Sequence, residues 1–342
     1  MISVSAEAIY RDMRVEPSEL AEKLAEKYGY LPYMVQRYIL MLGIAETHKL
    51  LEAFEKPVKP VVRANTLLLE PDRLASRLDQ LGFILEPIPW DTTSYRVAGM
   101  GEGSPSIGAT HEYLKGYYYV HRDSAPLVPS TLLVYEYRGS VLDTCAAPGG
   151  KTTHIAQLLG DKYAIVANDL VLYRIRALIG HILRMRIASV RTIWSDARKL
   201  PRLVKKRFGR VLVDAPCSGE GTIMLDPGRK TRTRLLDLAR IVKREIEILW
   251  SSIEMLSEEG VLAYVTCSIA PEENEYVIAK ILEQRNDIEL VDPPIKLFNW
   301  SSGISSFAGH RFPREVEKCI RIWPHRHGMI GMTICFIAKT RR

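Results

Sequence analysis

Hydrophobic residues at helical spacing dominate the first part of the chain. Leu20, Leu24 and Tyr28 recur every four residues, and a second apolar stripe follows in MVQRYILML. Residues 1–56 are therefore predicted to form helices. The prolines of EKPVKP interrupt this pattern and predict a boundary near residue 57.

A mixture of strand-like and helix-like patterns follows over residues 57–128. The runs VVRANTL and KGYYYVHR are rich in the β-branched and aromatic residues typical of strands. PDRLASRLDQLGF has helical spacing and a glycine close to its end, and GMGEGSPSIG is predicted to be a loop. These patterns predict a small α/β module.

Short apolar runs alternate with helical segments over residues 129–342. Helical patterns such as KTTHIAQLLG and RIRALIGHILRM separate the runs, which predicts a doubly wound, mostly parallel α/β sheet. Such sheets bind ligands at the carboxyl ends of their strands. The strand candidates are SVLDTCAA, YAIVANDL, VRTIWSDA, RVLVDAPC, GVLAYVTCS and MTICFIAK.

Length and hydrophobic content agree with a globular protein of two or three domains. The chain has 342 residues, of which 47% are hydrophobic, enough for a large buried core. It has no apolar run of 18 residues, and its first residues, MISVSAEAIYRDMR, lack the apolar segment of a signal peptide. We therefore expect no membrane span and a cytoplasmic location. We also expect a monomer.

The five cysteines differ in their local context. Their odd number and the absence of a C-x-x-C spacing argue against a disulfide framework and a structural zinc site, so no metal is expected. Cys319 and Cys335 lie in apolar patterns and are predicted to be buried structural residues. Cys217 and Cys267 instead follow predicted strands and precede turn residues, which would expose their thiols to a pocket.

The charge of the chain favours a polyanionic partner. Its formal net charge is +7 and its pI is about 9.1, and nucleic acid is the commonest partner of such proteins. Basic residues cluster in 202–210, 228–234 and 310–327, with Tyr117 to Tyr119 or Trp323 as candidate stacking surfaces. A solvated charged face is the simpler explanation for any single residue, and stability at high temperature is another.

The sequence DTCAAPGGK lies between a predicted strand and a predicted helix. Its adjacent glycines, Gly149 and Gly150, would let a ligand approach the backbone at the positive end of that helix. A phosphate-binding P-loop would need glycine at position 145, where this chain has cysteine, so that alternative fails on spacing.

Acidic residues end the next three predicted strands. Asp169 is placed to accept the ribose hydroxyls of a nucleoside, Asp196 to meet an adenine edge, and Asp214 ends the following strand. A helix N-cap is the alternative for any one of them. Acidic residues and glycine turns at four successive strand ends are difficult to explain as caps alone, so we predict a nucleoside site.

Two thiols beside a methyl donor fit the methylation of cytosine at C5. C5 is a weak nucleophile, but a thiolate that adds to C6 turns the ring into an enamine whose C5 can attack. A second thiol can then serve as the base that removes the C5 proton. Asp214 would hydrogen-bond the base at N3 or the amino group, and Lys151 would add positive charge.

In combination, these motifs resemble the Fmu/NSUN (RsmB-like) family of RNA cytosine-C5 methyltransferases, and most of all its archaeal tRNA type. DTCAAPGGKT, AND, SDA, DAPCSGEGT and TCSIAPEENE occur in the family's order, and LPYMVQRYILMLG, VRANTL and HRDSAPLVPSTLL resemble its more N-terminal parts. The resemblance implies a Rossmann-like, S-adenosylmethionine-dependent methyltransferase domain with Cys267 as the nucleophile and Cys217 assisting elimination. It also implies a cofactor pocket formed by Cys145, Ala146, Ala147, Pro148, Gly149, Gly150, Lys151, Asp169, Arg174, Asp196 and Asp214.

Three positions depart from the family pattern. His181 and Arg186 replace the usual Asn and glycine-ended turn after Asp169, and Gly228 follows Pro227 where the family often has an acid. The last departure puts substrate contacts in that loop in doubt.

We expect RNA to be the partner, held in part by the N-terminal regions, with tRNA favoured and rRNA as the close alternative. A non-catalytic RNA-binding assembly factor is a second class, which the presence of both cysteines disfavours. A DNA cytosine methyltransferase would place its nucleophile in the PC motif alone, so the additional TC motif disfavours that class as well.

Overall fold

The first part of the chain is helical, as predicted. The computed structural model describes residues 4–340, so residues 1–3 of the predicted helical region lie outside the described residues. Ser18 begins the second helix by accepting a hydrogen bond from the Ala21 N–H, and Gly29 ends it with a left-handed φ of 75°. The helices are α1 (Ala6–Met13), α2 (Glu19–Tyr28), α3 (Pro32–Leu42) and α4 (Ile44–Phe54).

A small antiparallel sheet follows the helices. Its elements are β1 (Val61–Ala64), α5 (Pro71–Gln80), β2 (Phe83–Ile88), β3 (Asp91–Met100), α6 (His111–Leu114) and β4 (Tyr118–His121). The strand order is β2-β3-β1-β4. The predicted strands and helix are present as β1, β4 and α5. The hairpin β2–β3 was not predicted because most of its residues are at least partly exposed and β3 begins with the polar run DTTS.

The third part contains a larger sheet with helices between its strands. Its first half contains α7 (Leu127–Leu133), β5 (Val141–Asp143), α8 (Gly150–Leu158), β6 (Ile165–Asp169), α9 (Leu172–Arg184), β7 (Val190–Trp194), α10 (Leu200–Leu203) and β8 (Phe208–Asp214). Its second half contains α11 (Arg229–Arg232), α12 (Leu235–Glu254), β9 (Leu256–Thr266), α13 (Glu275–Leu282), β10 (Ile288–Val291), β11 (Ser301–Ser302), β12 (Ser306–Phe307), β13 (His310–Arg311), β14 (Ile320–Ile322), α14 (Pro324–His327) and β15 (Met332–Lys339). Among residues 4–340, none of the helices has both the length and the apolar character needed to cross a membrane.

The topology of the larger sheet confirms the Rossmann-like prediction. The strand order is β11-β14-β15-β9-β8-β5-β6-β7, and β10 also pairs with β15. Strands β7, β6, β5, β8 and β9 run parallel to one another. Strand β15 runs antiparallel to its neighbour β9, and β14 runs antiparallel to β15. Val141, Leu142 and Val211 to Val213 are buried, as strands covered on both faces require. The carboxyl ends of β5, β6, β8 and β9 consequently meet at one edge.

The predicted boundaries near residues 57 and 128 stay predictions. Helix α7 spans Leu127–Leu133 and therefore crosses the second of them. The segment predicted as the loop GMGEGSPSIG begins inside β3, which continues to Met100.

Cys319 and Cys335 form a disulfide, so the expectation of two unpaired structural cysteines is wrong. Both are buried, as predicted. The pairing of Ile320 with Ile334 places the two cysteines directly opposite each other on antiparallel chain segments, with their Cα atoms 4.4 Å apart. Counting and spacing of cysteines could not reveal this pair, because their proximity depends on the register of β14 and β15.

The small sheet meets the larger domain at Gly116. The side-chain amide of Asn65 donates to the carbonyl oxygens of Gly116 and Met185, each at 2.9 Å. Gly116 has a φ of +79°, and a Cβ there would lie only 1.9 Å from the carbonyl oxygen of Arg184. Close approach of the two backbones therefore requires glycine at this position.

We expect Gly116→Ala to lower the free energy of unfolding by about 2 kcal/mol or more. The new Cβ would collide with the backbone of Arg184, and position 116 has a left-handed conformation that alanine disfavours. Gly180→Ala is a matched control in α9, since a Cβ at that position would meet nothing within 4 Å among the described residues outside its own helix. Alanine is favoured over glycine in a helix by about 1 kcal/mol, so this control should be at least as stable as the parent. Urea unfolding compares them, and equal stabilities would contradict this description of the junction.

Candidate active site

The loop between β5 and α8 carries the predicted cofactor-binding sequence. Gly149 precedes α8 with a φ of 108°, and a Cβ there would lie 2.7 Å from Cδ1 of Leu178, so glycine is required. Arg63 of the small sheet donates from its guanidinium to the carbonyl oxygen of Gly150 and to Oγ1 of Thr153, each at 2.9 Å. The loop is therefore held by contacts with α9 on one side and with the small sheet on the other.

A cavity of about 340 Å³ lies at the ends of β5, β6 and β7. Its volume falls within the usual range of small-molecule sites. Four of the predicted cofactor residues line it, namely Cys145, Asp169, Arg174 and Asp196. The other predicted residues are not part of its lining: Ala146, Ala147, Pro148, Gly149, Gly150, Lys151 and Asp214.

Asp169 connects β6 to the glycine loop. Its carboxylate accepts hydrogen bonds from the N–H groups of Ala147, at 3.2 Å, and Val171, at 3.0 Å. Arg174 lies 3.4 Å from the same carboxylate and also donates to the carbonyl oxygen of Ala147. Because each carboxylate oxygen has two lone pairs, Asp169 keeps the capacity to accept further hydrogen bonds from a ligand.

Asp196 caps a short 3-10 turn after β7. It accepts a hydrogen bond from the N–H of Arg198 at 3.0 Å, and the Arg198 guanidinium approaches it to 2.6 Å. Arg198 also pairs with Glu247 at 2.7 Å. The N-cap alternative therefore applies to Asp196, although the residue also lines the cavity, and its contact with adenine stays a prediction.

Several lining residues were given no role of their own in the sequence analysis. Asn168 lines the cavity, and its Oδ1 atom is buried without a hydrogen-bond partner in the described part of the chain. Such an atom can accept a hydrogen bond from a polar ligand. Pro216, Arg244 and Ile248 also line the cavity. The last two lie on α12, far along the chain, so only the folded structure brings them to the site.

Cys217 and Cys267 lie side by side at the ends of adjacent parallel strands, β8 and β9. Their sulfur atoms are 3.2 Å apart. The hydrogen bond from Cys217 lowers the pKa of Cys267, with help from the positive charge of Lys151 and against the effects of burial and Asp214. The same bond and burial raise the pKa of Cys217 well above its usual value. Cys267 is therefore the cysteine of the pair that loses its proton more readily.

Lys151 and Asp214 form an ion pair that acts on the thiols. Nζ of Lys151 lies 2.7 Å from Oδ2 of Asp214, and both side chains are partly buried. Burial alone would lower the pKa of Lys151, but attraction to Asp214 outweighs it and the pKa is raised. Both charges influence the pKa of Cys267, in opposite directions. The structure thus brings together the four residues predicted to be catalytic.

Polar groups after Cys267 fix its loop. Glu273 accepts hydrogen bonds from the N–H and hydroxyl of Ser218, at 2.5 and 2.6 Å, and so joins the two cysteine-bearing loops. The side chain of Asn274 bonds to the Thr266 hydroxyl and to the carbonyl oxygen of Ala270. The motif TCSIAPEENE contains both residues, but no individual role was predicted for either. The signal that could have identified them is the run of acidic and amide side chains immediately after a turn.

Some residues predicted to face RNA are buried instead. Tyr118, Tyr119 and Trp323 expose 0%, 6% and 2% of their surface, so the prediction that they stack on bases is wrong. Arg321, in the basic 310–327 segment, is also buried and pairs with Glu275 at 2.6 Å. Composition cannot distinguish the inward from the outward face of a strand, which explains these errors.

We expect Cys267 to react with iodoacetamide at lower pH than Cys145, whose pKa burial raises. The thiolate is the reactive form and is present above the pKa, so a lowered pKa extends reactivity to lower pH. Cys217→Ala removes the main cause of that lowering and should move the profile of Cys267 to higher pH. Asp214→Asn, which removes a negative charge, should move it the opposite way. Peptide mass spectrometry measures both, and a profile insensitive to Cys217→Ala would rule out the sulfur contact as the cause.

Comparison with known proteins shows the family to which the chain belongs. Residues 130–341 match the family model described as 16S rRNA methyltransferase RsmB/F. A 28S rRNA (cytosine-C(5))-methyltransferase of Mus musculus is 35% identical over 330 residues, which cover 95% of this chain and 40% of the relative. Ribosomal RNA small subunit methyltransferase F of Shewanella piezotolerans is 32% identical over 290 residues, covering 84% and 58%. The chain thus spans less than two thirds of the length of these relatives.

A solved structure of a similar protein is matched by this chain over its whole length. The crystal structure of a methyltransferase homolog from Pyrococcus horikoshii superposes with a TM-score of 0.82 at 29% identity, covering 94% of this chain and 100% of that one. The resemblance to the Fmu/NSUN family drawn from the motifs is confirmed. Since the family model matches well over half of the residues, this chain belongs to the RsmB/F family of methyltransferases.

Proposed function

We propose that this chain methylates cytosine at C5 in RNA, with S-adenosylmethionine as the methyl donor and Cys267 as the nucleophile. The observation that carries the proposal is the pair of sulfur atoms 3.2 Å apart, next to the Lys151–Asp214 ion pair. The names of the curated relatives, which are rRNA (cytosine-C(5))-methyltransferases, support the same chemistry.

The cavity at the ends of β5 to β7 suits the proposed methyl donor. Asp169 would accept hydrogen bonds from ribose hydroxyls, and the unpaired Oδ1 of Asn168 supplies a further buried acceptor. Asp196 lies on the same wall for the adenine end. Bound there, S-adenosylmethionine supplies an electrophilic methyl group.

Cys267 carries out the first step of the proposed reaction. Its thiolate adds to C6 of cytosine, so that an S–C6 bond forms while the C5–C6 double-bond electrons shift towards C5 and the ring. Lys151 stabilises the negative charge that develops on the ring. Asp214, held as a carboxylate by Lys151, would accept a hydrogen bond from the amino group of the base, or from N3 once N3 is protonated in the adduct. C5 would then be nucleophilic enough to take the methyl group, so that a C5–CH3 bond forms, the S–CH3 bond of the donor breaks and the donor leaves as a neutral thioether.

Cys217 completes the reaction by removing the C5 proton. The hydrogen bond to Cys267 is the largest cause of its raised pKa, and that cause disappears once the Cys267 sulfur is bonded to carbon. Cys217 can then lose its proton to solvent and act as a base. When it takes the proton from C5, the C5–H electrons rebuild the ring double bond, the S–C6 bond breaks and the Cys267 thiolate leaves.

We propose rRNA as the first substrate to test and tRNA as the second. The relatives' names refer to rRNA, and they give no support to the preference for tRNA, which rests on the compact chain and its modest N-terminal additions. The target cytosine must be unpaired or flipped, because the Cys267 thiolate, which follows β9, cannot reach C6 of a base that is stacked inside an RNA duplex. The exposed cations of segment 202–210 and the N-terminal regions would contact the RNA backbone.

We expect Cys267→Ala to reduce 5-methylcytosine formation by about four orders of magnitude or more, because no other group would activate C5. Binding of S-adenosylmethionine in calorimetry should stay within a few-fold of the parent, since Cys267 does not line the cavity. Bisulfite sequencing of rRNA and tRNA transcripts measures the product. Undiminished turnover by this variant would exclude covalent catalysis at Cys267, and a parent inactive on both transcripts would favour the assembly-factor alternative.

We expect Cys217→Ala to accumulate a covalent protein–RNA complex that survives a denaturing gel, because addition and methyl transfer proceed while proton removal fails. The double variant Cys217→Ala/Cys267→Ala is the matched control and should give no complex. Free turnover by the single variant would show that another group removes the C5 proton.

A further inference from the structure

Arg37 is a fully buried cation from the N-terminal helices. It lies on α3, and none of its surface is exposed. Its Nη1 donates to Oε2 of Glu272 at 3.1 Å, and its Nη2 donates to Oε2 of Glu220. Both carboxylates are buried as well, with 1% and 3% exposed. A buried charge that lacked such partners would be strongly destabilising. The three groups therefore constitute one interdependent network.

The two carboxylates belong to the two cysteine-bearing loops. Glu220 lies three residues after Cys217, and Glu272 lies five residues after Cys267. The guanidinium of Arg37 therefore connects the two loops from outside the larger sheet. Its planar group can donate to two carboxylates at once, which the single ammonium of a lysine cannot do with the same geometry.

Other contacts between these loops show how little space separates them. The N–H of Gly221 donates to the carbonyl oxygen of Cys267 at 2.9 Å, and a Cβ on Gly221 would lie 2.8 Å from that oxygen. Glu273 bonds to Ser218 across the same gap. A small outward movement of Glu220 would thus be transmitted to Cys217 along a short, closely packed segment.

We propose that Arg37 is a positioning residue that sets the distance between the sulfur atoms of Cys217 and Cys267. Through it, the N-terminal helices form part of the active site even though they contribute no side chain that touches the reacting atoms. The activity readout of this inference rests on the proposed function, whereas the distance between the thiols does not.

A purely structural role for Arg37 makes a different prediction. In that case its loss would lower stability but leave the two thiols equally close in the molecules that stay folded. Arg321 is a matched control because it is also a buried arginine, with bonds to Glu275 at 2.7 and 2.6 Å and to the carbonyl oxygen of Ile269 at 2.9 Å. These bonds all go to the segment after Cys267 and leave the segment after Cys217 untouched.

The test measures disulfide formation between Cys217 and Cys267 in folded protein treated with diamide. Each thiol loses one hydrogen, an S–S bond forms, and diamide takes up both hydrogens and is reduced to the hydrazine. We expect Arg37→Met to slow this reaction about tenfold or more relative to the parent, because a displacement near 1 Å suffices for such losses. Arg321→Met should change the rate less than twofold, and Arg37→Lys should be intermediate. Peptide mass spectrometry distinguishes this disulfide from Cys319–Cys335.

An unchanged oxidation rate in Arg37→Met, or equal slowing in Arg37→Met and Arg321→Met, would overturn the proposal. If Arg37→Met does not fold, Glu220→Gln replaces it, with the same expected slowing and the same contradicting results. In RNA methylation, Arg37→Lys should lower kcat with little change in KM for either substrate. A failure of methylation by the parent protein would refute the proposed function while leaving the oxidation result intact.

Discussion

The contact between the sulfur atoms of Cys217 and Cys267 is the interaction on which the proposed chemistry depends. A thiolate in a largely buried site needs a nearby group that stabilises its charge, and a thiol 3.2 Å away supplies that hydrogen bond. Adjacent parallel strands deliver both cysteines to one edge of the sheet. In the proposed reaction, the same contact would keep Cys217 protonated until the sulfur of Cys267 is bonded to carbon, so a single hydrogen bond would set the order in which the two cysteines act.

The regions before the larger sheet reach its site through buried arginines. Arg63 holds the glycine loop beside the cavity, and Arg37 connects the loops that carry the thiols. The small sheet thus contacts the loop beside the cavity, and the N-terminal helices contact the loops that carry the thiols. We therefore expect residues far upstream of the strand-end motifs to affect the proposed chemistry at that edge.

The sequence was informative where a residue type has few alternatives. Glycines before a helix, acidic residues at strand ends and two cysteines followed by turns identified the edge of the sheet at which the residues meet. Contacts that depend on register or on distant segments could not be predicted. The Cys319–Cys335 disulfide requires the pairing of β14 with β15, Arg244 and Ile248 reach the cavity from α12, and the aromatic run at Tyr118 gave no indication of which face is buried.

The covalent step at Cys267 is the central claim, and a fluorinated substrate tests it most directly. RNA that carries 5-fluorocytosine at the target position cannot lose a C5 proton, so the reaction should stop after methyl transfer with the base still attached to sulfur. Peptide mapping of the parent protein should then locate a methylated fluorocytidine on Cys267. A label on Cys217, or methylated RNA without any attached peptide, would contradict the account.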